Sequence, residues 1–117
     1  MWFNKGYALD ELGRYDEAIQ NYDRVLELDD KYVYAWNGKG SALYNLGKYK
    51  EAIHLYDKAI EIDGKHASAW YNKGNALEKL GKHKEGKECY ERATFPAWLD
   101  LYAYDALAIL LISRFHF

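Results

Sequence analysis

Through the middle of the chain, apolar residues return at intervals of three and four. Trp36, Gly40, Leu43 and Leu46 follow steps of four, three and three, which sets them on one stripe of a helix predicted over residues 35–46. Gly47 comes one position past that stripe, where a glycine in the left-handed conformation ends a helix. A second stripe, Ala52, Ile53, Leu55, Tyr56, Ala59, Ile60 and Ile62, predicts another helix that closes near Asp63 and Gly64. The unit is a helical hairpin. Small Gly40 and Ala52 would let the two backbones approach, with Trp36 and Tyr56 filling the remaining space.

The same pattern recurs on both sides. Trp2, Trp36 and Trp70 stand 34 residues apart, and the step also aligns Gly6 with Gly40 and Gly74, Leu9 with Leu43 and Leu77, and Gly13 with Gly47 and Gly81. It continues through Glu17, Glu51 and Glu85, and through Tyr22, Tyr56 and Tyr90. About sixteen positions agree between the first two copies, where unrelated sequences would share roughly two. The chain is therefore a repeat array, with units at 1–34, 35–68 and 69–97 and an apolar segment at 98–117.

Trp36-x2-Lys39-Gly40-x2-Leu43 followed by Ala52-x3-Tyr56, with Trp2 to Tyr22 and Trp70 to Tyr90 alike, resembles the tetratricopeptide repeat over residues 2–95. That family's pattern reads W-x2-L-G-x2-Y, A-x3-F and a closing P. Three departures stand out. Lys5, Lys39 and Lys73 replace the leucine, where an aliphatic stem can still cover apolar surface. Asp30 and Gly64 stand in place of the proline, and Gly86 in place of the third alanine; the links between copies are expected to be less rigid for it. The resemblance implies an all-α, right-handed superhelical array of three helix-turn-helix repeats, with the first helices lining its concave side.

On that reading, groove positions are Phe3, Asn4, Tyr7 and Glu11 in the first copy, Asn37, Ser41, Tyr44 and Asn45 in the second, and Tyr71, Asn72, Asn75 and Lys79 in the third. Amide side chains both donate to and accept from an extended main chain, and tyrosine adds contact area at low entropy cost. The expected function is a non-enzymatic interaction module that holds a peptide or protein partner. The bland alternative for the same positions is a solvated helix face. Some family members clamp a partner's terminal carboxylate with lysine and arginine. Phe3, Tyr7, Ser68 and Asn72 are not basic, so binding of a chaperone tail is not carried over.

Composition narrows the alternatives. A chain of 117 residues, 50% hydrophobic and 29% charged, has material for one modest core. Its net charge of -2 gives no global attraction for phosphate backbones, and an Asn- and Tyr-lined groove argues against RNA. Cys89 is the sole cysteine, which removes disulfide and thiolate-zinc scaffolds and leaves it a small hydrophobe. No apolar run follows a basic start, so no secretory signal is expected and the setting is read as cytoplasmic.

Catalytic signatures are lacking. Ser41, Ser68 and Ser113 lie in no G-x-S-x-G context, and His54, His66, His83 and His116 form no i, i+4 pair. His83 is expected to be a half-buried ring in the slot of Tyr15 and Tyr49, while Asp29, Asp30 and Asp63 read as helix-terminating residues. No enzyme activity, metal or cofactor is expected.

Charge is uneven. Residues 1–34 carry four bases against eight acids, and the third copy gathers Lys79, Lys82, Lys84 and Lys87. Gly86 inside a helix, with Lys82 and Lys84 at its start, marks residues 82–94 as the part that opens first. From Thr94 onward the pattern decays, with seven consecutive apolar residues from Ala106 to Ile112. Tyr104 falls 34 beyond Trp70, so the segment reads as a capping first helix, its Tyr104, Ile109, Leu110 and Ile112 burying against a second copy. Asp100 and Asp105 interrupt it, and no membrane span is expected. A self-assembling unit joined through this helix is the alternative function.

Overall fold

The computed structural model describes residues 2–94. Six helices follow one another: α1 (Trp2–Glu11), α2 (Tyr15–Leu28), α3 (Val33–Asn45), α4 (Tyr49–Ile62), α5 (Ala67–Lys79) and α6 (His83–Thr94), with no strand among the described residues. They pair as three hairpins, α1 with α2, α3 with α4 and α5 with α6, and each hairpin packs on the next through α2 against α3 and α4 against α5.

Each tight turn is built by its glycine. Gly13, Gly47 and Gly81 take φ of 78°, 80° and 79°, a region costly for a residue with a Cβ. At the middle turn, the Gly47 N–H donates to the Tyr44 carbonyl and the Lys48 N–H to the Leu43 carbonyl, both at 2.9 Å. These paired bonds satisfy carbonyls that the end of α3 leaves open. The looser turns between hairpins are closed by aspartate. Oδ1 of Asp29 accepts the Lys31 N–H at 3.0 Å, and Oδ1 of Asp63 accepts the Lys65 N–H at 3.1 Å, a local bond that holds the chain in a turn.

The core is made of alanines and tyrosine rings. Ala18, Ala35, Ala42, Ala52, Ala59, Ala69 and Ala76 are fully buried, and Tyr22 and Tyr56 are the largest fully buried side chains. The small-residue approach expected of Gly40 and Ala52 is seen at their third-copy counterparts, where a Cβ on Gly74 would lie 3.1 Å from the Gly86 carbonyl. The nearest neighbours of Gly40 and Gly74 are tyrosine rings. A Cβ on Gly40 would lie 2.6 Å from Cε1 of Tyr56, and one on Gly74 the same distance from Cε1 of Tyr90. The glycine therefore makes room for the ring of the second helix. Tyr22 is held on two sides, since a Cβ on Gly6 or on Gly38 of the next hairpin would strike it at 2.9 and 2.7 Å.

Other expectations need correcting. Trp36 and Trp70 are half-buried and do not fill the hairpin interior. Their indole N–H groups donate to the main-chain carbonyls of Asp30 and Gly64, at 2.7 and 2.8 Å. Those are the two residues that stand in the proline slot, so each of these joints carries a cross-tie. The last member of the first-helix stripe is exposed in two copies, Leu12 at 72% and Leu46 at 37%. His83 is exposed too, with Nδ1 2.8 Å from Oε2 of Glu78. It replaces the Tyr49 ring, which meets Tyr44 edge-on at 5.2 Å. The capping segment at 98–117 lies outside the described residues.

The stack has distinct sides. α1 approaches α3 and α3 approaches α5, whereas α2 and α4 do not meet, nor do α4 and α6. The first helices are therefore the closer-packed, inner row, and the second helices fan apart.

Candidate functional site

The inner row carries a cavity of about 220 Å³ lined by Ser41, Tyr44 and Asn45 of α3, Asn72 and Asn75 of α5, and Tyr56 of α4. Helical spacing explains the set. Ser41, Tyr44 and Asn45 are three and four residues apart, as are Asn72 and Asn75, so each group lies on one face. Tyr56 enters from behind because Gly40 gives way to its ring. Reading residues by apolar stripe had assigned Tyr56 wholly to the core.

The polar groups are joined across the hairpins. Asn37 donates to Oγ of Ser68 at 3.1 Å, and Asn72 donates to Oδ1 of Asn37 at 3.1 Å and towards Oγ of Ser41 at 3.4 Å. The Tyr56 hydroxyl also reaches Oγ of Ser41 at 3.4 Å, and Tyr90 donates to Oδ1 of Asn75 at 2.6 Å. Asn45 donates to Oδ1 of Asp10 on α1 at 3.5 Å. Such a network orients the amides before any partner arrives.

Of the residues expected in the groove, Ser41, Tyr44, Asn45, Asn72 and Asn75 come together in the cavity, and Asn37 joins them through Asn72. Tyr7 and Tyr71 are 58% and 55% exposed, Tyr71 with its ring centroid 5.5 Å from that of Tyr90. Asn4, Glu11 and Lys79 are exposed and outside the cavity. The Phe3 side chain and Tyr104, Ile109, Leu110 and Ile112 lie outside the described residues. Asp10 and Glu78 were missed, although they share the register of Tyr44 at steps of 34.

Titration follows burial. Desolvation first, with Tyr44 and Asp10 adding, pushes the Tyr56 phenol up to about 12 against a lowering hydrogen bond from Ser41. The Asp10 carboxyl is raised by desolvation, opposed by its bond to Asn45. Burial raises the Cys89 thiol, which suits a packing role. Among the described residues, no three His, Cys, Asp or Glu side chains converge as a metal site, and no helix is long and apolar enough to cross a membrane.

A family model for the tetratricopeptide repeat matches residues 3–67 and 39–106. The chain belongs to the tetratricopeptide repeat family. Its solved structural neighbours are arrays of the same kind. The first tetratricopeptide domain of Spaghetti (RPAP3), bound to the HSP90 peptide SRMEEVD, is 28% identical with a TM-score of 0.76, covering 92% of this chain and 90% of that one. The second such domain of the same protein, with the same peptide, is 28% identical with a TM-score of 0.75, covering 79% and 85%. MamA is 25% identical with a TM-score of 0.74, and this chain spans 54% of its length. No curated protein matches the sequence.

Proposed function

We propose that this tetratricopeptide array is a docking module that holds an extended segment of a partner protein along the inner row of α1, α3 and α5. The cavity among Ser41, Tyr44, Asn45, Asn72 and Asn75 carries the reading, because it presents amide and hydroxyl groups beside an aromatic wall at the place where successive hairpins meet. Extended peptide main chains offer the donors and acceptors that such groups satisfy. Two relatives of the same fold hold a peptide, which supports a peptide guest here as well.

The mode of grip differs from a terminal-carboxylate clamp. Ser68 and Asn72 stand where basic side chains would be needed and bond to Asn37 instead. Lys39 and Lys73 are engaged by Asp23 and Asp57, each at 2.7 Å. Main-chain recognition by neutral groups is therefore favoured over capture of a negative chain end.

Asn45 is exposed and its substitution leaves the Asn37, Asn72 and Ser41 bonds untouched. Partners captured from native lysate by the full chain are expected to be lost with Asn45→Trp, which fills the cavity mouth, while circular dichroism stays unchanged. Equal capture by the two proteins would place the docking surface elsewhere.

A further inference from the structure

The cavity on the inner row is lined by neutral groups but flanked by acids. Asp10 reaches it from the α1 side, with Oδ1 3.5 Å from the amide of Asn45. On the other side, Glu78 of α5 stands one hairpin beyond Tyr44 and three residues past Asn75, whose Oδ1 accepts from Tyr90; Oε2 of Glu78 is 2.8 Å from Nδ1 of His83. The register explains this placement. Asp10, Tyr44 and Glu78 occupy one position of the repeat, so the aromatic wall at Tyr44 has a carboxylate one hairpin away in each direction.

Compensating cations are turned elsewhere. Lys39 and Lys73, on the same helices as the lining residues, pair with Asp23 and Asp57 of the second helices. Lys79 is exposed at the end of α5 and does not line the cavity. His83 meets Glu78 at 2.8 Å and offsets its charge only when protonated.

We propose, building on the peptide-docking reading, that this cavity is a subsite for a cationic side chain of the docked segment, arginine above all. A planar guanidinium presents five N–H donors and stacks on aromatic rings. Asn45, Asn72 and Asn75 supply amide oxygen atoms that can accept and Tyr44 supplies the ring, while Asp10 beside Asn45, and Glu78 one hairpin on, supply the field. Lysine offers the same charge without the fork or the stacking plane. The preference is opposite in sign to the acidic peptide SRMEEVD held by the RPAP3 relatives.

Three mixtures of blocked heptapeptides, identical in their randomised flanks and carrying a central arginine, citrulline or glutamate, test this with the full chain. Citrulline keeps the shape of arginine and removes its charge. At low salt the arginine mixture is expected to be retained about fivefold more than the citrulline one, the scale of a partly screened charge interaction. That preference is expected to fall below about twofold in Asp10→Asn with Glu78→Gln. Equal retention of arginine and citrulline, or preference for glutamate, overturns the cationic subsite and leaves the docking reading standing. If no mixture is retained and none shifts the side-chain amide signals of Asn45, Asn72 and Asn75, both fall.

Discussion

Nζ of Lys73 lies 2.7 Å from Oδ1 of Asp57, and Lys39 makes the same contact with Asp23 one repeat earlier. In each case the acid belongs to the second helix of one hairpin and the base to the first helix of the next. The lysine that departs from the family's leucine is therefore a tie between repeats. Both partners are partly exposed, 24% for each lysine and nearly half for each aspartate, so the tie is a modest one. Lys73→Met, which keeps the stem, is expected to change stability by no more than about 0.5 kcal/mol, and Lys73→Asp to lower it by about 1 kcal/mol or more through like-charge contact. Urea unfolding at low and high salt checks this, since screening should shrink the difference between the two variants.

Gly40 and Gly47 are expected to resist substitution for unlike reasons. A Cβ on Gly40 would sit 2.6 Å from the ring of Tyr56, a residue 1% exposed and unable to swing away. Gly40→Ala is expected to lose about 1–3 kcal/mol to overpacking, less the roughly 1 kcal/mol that alanine adds to a helix. Combining it with Tyr56→Leu should give less than the sum of the two single losses. Nothing lies within 4 Å of a Cβ on Gly47, but its φ is +80°, so Gly47→Ala is expected to lose about 1–2 kcal/mol from backbone strain alone. Thermal denaturation of the four proteins separates the two mechanisms.

Alkaline pH should loosen the array. Burial raises the phenols of Tyr22 and Tyr56, the latter to about 12, above the usual value of 10.0. A pKa raised in the folded state contributes stability that is whole below pH 10 and is lost as pH climbs through the folded value. Stability is therefore expected to fall steadily between pH 10 and 12. Tyr56→Phe should flatten part of that slope, read from urea midpoints across the interval.

α6 is expected to exchange its amide hydrogens faster than α4. α4 buries Ala52, Tyr56 and Ala59 and is packed between α3 and α5, whereas α6 buries only Gly86 and Cys89 among its residues. Local opening follows such differences in buried contact. Native-state hydrogen exchange that found the two helices equally protected would contradict this. Gly86→Ala should not simply strengthen α6, because the new Cβ would meet Oε1 of Glu78 at 2.9 Å and disturb its contact with His83.

Much of the scaffold was legible because its signals are local. Helical spacing marked each stripe, and glycines 34 residues apart marked the turns that Gly13, Gly47 and Gly81 make with positive φ. What stayed hidden depends on how hairpins sit against one another. The Asp23–Lys39 and Asp57–Lys73 pairs recur in the sequence, but only stacking brings a second helix to the next first helix. Asn72 looked like a free groove amide, and it is bonded to Asn37 of the preceding repeat. Asp10 and Glu78 were overlooked because the repeat between them carries an aromatic residue, Tyr44, at the same position.

The indole bonds of Trp36 and Trp70 end on main-chain carbonyls, and every amino acid carries one. The bond itself makes no demand on side-chain identity at 30 and 64, and aspartate stands at one joint and glycine at the other. The tryptophan that makes the tie recurs with the unit. Duplicating a hairpin therefore duplicates its own hinge, and an array built this way can lengthen without inventing a new joint.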